Sequence, residues 1–264
     1  MMNQNRILQY HDIVLITLDT LRYDVAVSQL ELGNTPNLGR YISGWEKRHT
    51  PASFTFAAHQ AFFAGFLPTP VEPGRHFRRF ALSFPGSETT GPDTLALDAP
   101  TLMEGLRKLG YHTICIGGTG FFNQQTPLGS VLPSLFDEAH WAPELGVTCP
   151  ASTENQVALA LSRLDAHPEP CFLFLNVSAL HQPNRFYLPG ATTDTLESHA
   201  AALAYVDGAL KPLLDRLEQR GAFGVICSDH GTAYGEDGYQ GHRIGHSVVW
   251  TVPYAELWIG QVAR

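Results

Sequence analysis

Positive charge is scarce in this chain. Its 17 Lys and Arg stand against 25 Asp and Glu, for a formal net charge of −8, which disfavours non-specific binding to nucleic acid or to an anionic membrane. The densest basic cluster, Arg75-His-Phe-Arg-Arg79, is short and reads as a solvated face or a small phosphate-binding patch. Long apolar runs are missing too. None approaches the roughly 18 residues of a membrane span, and Met1–Tyr10 has no apolar signal-peptide core. Cysteine is sparse, and Cys115, Cys149, Cys171 and Cys227 have no Cys-x-x-Cys spacing. Three lie in or near strand-like runs, so buried thiols in a reducing compartment are expected. These absences predict a cytoplasmic protein with no membrane or nucleic-acid partner. No internal repeat or low-complexity tract occurs.

What is present is ordinary globular composition, 264 residues with 44% hydrophobic and 16% charged, enough for one α/β domain with a sizeable core. Apolar, strand-like runs at 13–18, 112–117, 171–177 and 223–228 alternate with helical patterns near 101–109, 153–165 and 196–219. That alternation predicts a mostly parallel central sheet with helices on both faces. Two irregular excursions interrupt it. Residues 68–100 are rich in Pro, Gly, Ser and Thr, and 118–148 carry Phe121-Phe122 and Trp141; both are candidates to overhang a site.

Three segments carry chemistry. The run Phe223–Cys227 ends in Ser228-Asp229-His230-Gly231, which puts a carboxylate and an imidazole at a strand's carboxyl end, where open α/β sheets place their sites. The run Ile13–Leu18 ends the same way in Asp19-Thr20-Leu21-Arg22. Each carboxylate, alone, is equally a turn cap. Two such strands in one chain favour a shared site. The third segment, Thr55 to Gly65, reads as a buried helix with Thr55 at its start, either as an ordinary cap or facing an anion. His59 follows one turn later on the same face, and a core histidine is its plain alternative.

Taken in order, these motifs resemble the sulfatase-like branch of the alkaline phosphatase superfamily. Leu15-Ile-Thr-Leu-Asp-Thr-Leu-Arg-Tyr-Asp24 is similar to its first strand and metal-binding Asp. Thr50 to Pro68 is similar to its nucleophile helix, and Ser228 to His242 to its late metal motif. Weaker matches are Leu102–Gly117, Leu180-His-Gln-Pro-Asn-Arg-Phe-Tyr187 and Ala204-Tyr-Val-Asp207, so the likeness runs from about Asp12 to Trp258. The resemblance implies one divalent metal held by Asp19, Thr55, Asp229 and His230. Thr55 takes the nucleophile position and His59 supports it. His181 and His242 face the substrate anion or hold a second metal, with His246 a further candidate.

Departures from the family pattern narrow this. The register of the formylglycine motif reads Thr55-Phe-Ala-Ala-His59, without a convertible Cys or Ser, which argues against a formylglycine-dependent sulfatase. Ala179 and Leu180 replace an Asp and a Pro before His181, removing a carboxylate that would support a second ion. The motifs also run out at Val252–Trp258 where larger members carry a further subdomain. A more open pocket, or one completed by a protein partner or a second copy, is therefore expected.

The donor set is two carboxylates, an imidazole and a hydroxyl, which suits Zn²⁺ or Mn²⁺. Metal coordination is one way to activate a threonine hydroxyl. The expectation is a metal-dependent hydrolase or transferase acting on a small phosphate or phosphonate ester by in-line attack of Thr55, with a diester favoured, as in a phosphodiesterase. The alternatives are an accessory or binding subunit that kept the fold without turnover and, less favoured, a sulfate-ester hydrolase.

Overall fold

The computed structural model describes residues 8, 10–65, 80–81, 95–96 and 100–260. Seven strands form its main sheet: β1 (Asp12–Leu18), β2 (Glu46–His49), β3 (His112–Ile116), β4 (Glu138–His140), β5 (Cys171–Val177), β6 (Ala222–Cys227) and β7 (Thr251–Ile259). Their spatial order is β2-β7-β6-β1-β5-β3-β4. The pairs joining β6, β1, β5, β3 and β4 are parallel, and β7 runs antiparallel to both β6 and β2. The expected fold class is what the structure shows.

The central strands are buried on both faces, which is why they read as unbroken apolar runs. Along β5, Leu173, Leu175 and Val177 join one core while Phe172 and Phe174 join another. The first core is closed by α1 (Tyr23–Glu31), α5 (Ser152–Ala166) and α6 (Leu196–Arg220). The second is closed by α2 (Thr55–Ala64), α3 (Leu102–Lys108) and the turn around Phe122 and Leu132, near the short α4 (Pro127–Val131). Each fully buried Leu or Phe of this kind contributes about 1.5–3 kcal/mol of transfer free energy. Helix limits follow local chemistry. Thr101 and Thr195 form capping boxes with Glu104 and Ser198. Gly65 ends α2 in the left-handed region at φ 77°.

The expected strands and helices lie within a residue or two of their observed limits. The 118–148 segment is less irregular than expected: α4 and three short 3₁₀ turns lie in it, and β4 extends the sheet at its edge. Of the 68–100 excursion, the structure describes Pro100 and two dipeptides, Phe80–Ala81 and Leu95–Ala96, paired in parallel; Arg75–Arg79 lie outside the described residues. A final helix, α7 (Ser247–Trp250), leads into β7. No helix among the described residues is long and apolar enough to cross a membrane.

Candidate active site

The parallel strands β1, β5 and β6 end side by side, and their carboxyl ends deliver the site. Asp19 follows β1 directly and Asp229-His230 follow β6 after Ser228. Thr55 is the first residue of α2, and all four are buried. The Thr55 hydroxyl stands 3.4 Å from Asp19 Oδ2 and 3.3 Å from His230 Nε2. His230 Nε2 is in turn 3.5 Å from Asp229 Oδ2. Donors around a tetrahedral Zn²⁺ with bonds of about 2.0–2.2 Å stand roughly 3.3–3.6 Å apart, so these separations match the edges of such a site.

Two observations test the fit further. Asp19 Oδ1 and Asp229 Oδ2 are buried without a hydrogen-bond partner, a costly condition for carboxylate oxygens unless a cation faces them. His230 Nδ1 lies 2.9 Å from the Gly231 carbonyl; an N–H there donates to that oxygen and leaves the Nε2 lone pair facing Thr55 and Asp229. Outer partners hold the ligands in place, as metal sites require. The Asn176 amide donates to Asp19 Oδ2 at 3.1 Å. Asp229 Oδ1 accepts from the Thr20 and His230 backbone N–H groups at 3.2 and 3.0 Å. The residues fit one divalent ion.

Electrostatics agree. Burial, and then the neighbouring Asp229 charge, push Asp19 up to about 6; burial likewise pushes Asp229 up to about 7. Two carboxylates sealed this close cannot both ionise cheaply without a cation. Burial lowers His230 as well, which keeps it a neutral ligand.

The remaining predicted histidines divide. The His242 ring lies 4.6 Å from that of His230 and 5.4 Å from that of His181, so two more imidazoles gather beside that of His230. Burial, and then the charges of His230, His181 and Arg243, lower His242 to about 3. His181 is oriented through Nδ1 by its neighbour's carbonyl, Gln182 O, at 2.5 Å.

His59 lies beneath the ligand cluster, with Nδ1 3.8 Å from Asp229 Oδ2. It is fully buried, with Nδ1 2.7 Å from the Thr55 carbonyl, Nε2 3.1 Å from Thr17 Oγ1, and Phe122 and Phe174 edge-on around it. Both nitrogens are engaged, so it steadies the first turn of α2. His246 is occupied elsewhere, with Nε2 3.1 Å from Asp237 and Nδ1 accepting from Val248 N–H at the start of α7.

Several contributors were not foreseen from the sequence. Asn176 sits near the end of β5 opposite Thr17 of β1, a register that only the sheet reveals. Thr20 adopts φ 65°. While its N–H holds Asp229, its hydroxyl donates to the Leu180 carbonyl at 3.1 Å, next to His181. Asn184 donates to the same carbonyl at 3.0 Å. Arg22 is buried and pairs with Asp24 and Glu236, tying the loop after β1 to the loop after β6. Gly231 closes the Asp229-His230 turn against α7. Its N–H donates to Val249 O at 2.7 Å, and a Cβ there would fall 2.0 Å from the Val248 carbonyl oxygen. An Arg after one apolar strand and an Asn near the end of another were the available signals, and neither is specific.

A mostly parallel sheet with buried carboxylates and an imidazole at its carboxyl ends fits the sulfatase-like branch of the alkaline phosphatase superfamily. The Sulfatase family profile matches residues 11–254, and the chain belongs to that family. No curated protein matches it in sequence. Solved structures share the fold at low identity. The integral membrane lipooligosaccharide phosphoethanolamine transferase A from Neisseria meningitidis aligns with TM-score 0.66 and 16% identity, over 96% of this chain and 48% of that one; this chain thus spans about half of that protein. The C-terminal periplasmic domain of EcEptC from Escherichia coli, in complex with Zn, gives 0.66 and 17%, over 97% and 74%. The lipoteichoic acid synthase LtaP from Listeria monocytogenes gives 0.64 and 13%, over 97% and 67%.

Proposed function

We propose that this chain is a metal-dependent phosphate- or phosphonate-ester hydrolase or transferase, with a diester favoured, in which Thr55 is the nucleophile. The observation that carries it is the Thr55 hydroxyl, 3.4 Å from Asp19 and 3.3 Å from His230, at a helix start beside two partnerless carboxylate oxygens. The neighbouring phosphoethanolamine transferase and Zn-bound EcEptC domain support the choice of phosphorus and of a divalent ion, Zn²⁺ or Mn²⁺, held by Asp19, Thr55, Asp229 and His230. When bound, that ion supplies Lewis-acid charge that lowers the hydroxyl's pKa and offsets charge on the phosphoryl oxygens.

The residues divide the work. As Thr55 Oγ bonds to phosphorus, the bond from phosphorus to the leaving oxygen breaks. The Thr55 proton passes to Asp19 Oδ2, 3.4 Å away, and His181 gives a proton to the leaving oxygen, while His242, lowered to about 3, stays neutral and donates a hydrogen bond. In the second step water or an acceptor alcohol attacks the phosphothreonine, His181 takes the attacker's proton, and Thr55 Oγ is released as it recovers its proton from Asp19. Asn176 and Thr20 hold Asp19 and Asp229 still throughout. The substrate ester is free or lipid-linked. Four free cysteines support a cytoplasmic setting, where thiols stay reduced.

The test is hydrolysis of bis-p-nitrophenyl phosphate by metal-stripped protein with Mn²⁺ or Zn²⁺ restored, alongside Thr55→Ala. Metal-dependent turnover should disappear in the variant, and mass spectrometry of quenched wild-type protein should find a phosphoryl group on Thr55. Near-normal turnover by Thr55→Ala would remove the nucleophile assignment. Stoichiometric metal binding without turnover of any ester would instead favour a binding subunit.

A further inference from the structure

Arg243 follows His242 in the chain and differs from every other cation described near the site. Arg22 is buried between two carboxylates, whereas Arg243 is exposed and has no acidic partner among the described residues. It is nevertheless held firmly. Its backbone is in the left-handed region at φ 69°, and its N–H donates to Ser53 O at 2.9 Å. Its guanidinium lies over the Phe54 ring, 5.4 Å from the centroid. Phe54 caps α2 and immediately precedes Thr55. That cation–π contact holds the guanidinium over the ring and leaves N–H groups for an anion.

Depth tells which anion. Thr55 and Asp19 are 2% and 0% exposed, so the reacting phosphorus belongs at the bottom of the site, among the ligands and imidazoles. Arg243 stands at the rim above it. It adjoins His242 in the chain, and its contacts with Ser53 and Phe54 set it beside the start of α2, where Thr55 lies. An exposed, unpaired guanidinium at this level meets a part of the substrate other than the transferred group.

We propose that Arg243 determines specificity by binding a second anionic group of the substrate, so that the chain acts on phosphate or phosphonate esters carrying a carboxylate or another phosphate beyond the reacting phosphorus. The proposal rests on the phosphoryl-transfer reading of the site.

A binding measurement separates the two. Metal-loaded protein is titrated calorimetrically, at moderate salt, with propylphosphonate, 3-phosphonopropionate and propane-1,3-diphosphonate, which differ in the far end only. Wild type should bind at least one of the doubly anionic ligands ten-fold or more tightly than propylphosphonate, and the better of the two identifies carboxylate or phosphate as the preferred group. In Arg243→Gln the preference should fall below three-fold, and Arg243→Lys should recover part of it; unfolding curves confirm that both variants fold. Equal binding of all three ligands by wild type, or a preference that survives in Arg243→Gln, overturns the role of Arg243 alone. Failure of every phosphonate to bind overturns the phosphoryl site and this proposal together.

Discussion

Replacing Asp229 by Asn should make the metal-free protein more stable while abolishing its response to metal. In the folded chain Asp229 Oδ1 accepts two backbone N–H bonds, and Oδ2 lies partnerless, 3.5 Å from His230 Nε2. An asparagine keeps both bonds at Oδ1 and presents an amide N–H to the imidazole lone pair. The wild-type carboxyl is pushed from 3.8 to about 7. A folded pKa above the unfolded one means that its stabilising contribution is complete below about pH 4 and is lost as pH rises through 7. At about 1.36 kcal/mol per unit, the loss above pH 7 approaches about 4 kcal/mol. Asparagine escapes it but keeps the cost of burying an amide, leaving a net gain of roughly 2–3 kcal/mol at pH 8. For a chain of this size that corresponds to roughly 4–12 °C in Tm. Thermal unfolding of chelator-treated proteins between pH 5 and 8.5 checks this. The two curves should meet near pH 5 and separate towards pH 8, and Zn²⁺ should then raise the wild type alone. If metal-free Asp229→Asn unfolds below wild type at pH 8, the partnerless, ionisation-averse carboxylate inferred here is wrong.

Other substitutions probe the supports. Asn176→Ala removes the amide that donates to Asp19 at 3.1 Å. Metal affinity measured by competition with a chelating dye should fall about 10–100-fold, and Tm without metal should fall as well, because Asn176 Oδ1 also accepts from the buried Gly118 N–H. Arg220→Ala breaks the buried pair with Asp12 and frees the carbonyls of Leu164, His167 and Glu169. It lies at the opposite end of the sheet, so denaturant unfolding should register a loss of about 3–5 kcal/mol with metal affinity intact. His59→Ala opens a cavity among Phe62, Phe122 and Phe174 and unpairs Thr17 from His59. A loss of about 2–4 kcal/mol is expected in the same assay.

What the sequence revealed follows from where signals are local. β1, β5 and β6 are doubly buried, and an unbroken apolar run is the one pattern they can show. Ligands at their ends were therefore visible as residues, and Thr55 as a helix start. β2 was invisible because all four of its residues, Glu-Lys-Arg-His, are exposed; it is a strand only because β7 pairs with it. α1 begins at Tyr23 without a side-chain cap, so no boundary signal marks it. Asn176 and Thr20 act across the sheet, on partners 157 and 209 residues away, and no window along the chain contains such a pair. His59 shows the converse: its helical spacing to Thr55 was legible, but its second partner, Thr17 on β1, was not, and that contact anchors the ring beneath the ligand cluster.

The Gly231 contact described above bears on how this site can diverge. The chain leaves the Asp229-His230 turn there, travels through Thr232–Gly245 and returns at α7, and the two ends meet backbone to backbone with no room for a methyl group. The excursion between them carries His242 and Arg243, yet its ends are pinned independently of what it contains. Such a loop can exchange its side chains, and with them the group it selects, while the ligands beneath stay in register. Natural variation in substrate should therefore collect inside the loop and stop at its hinge.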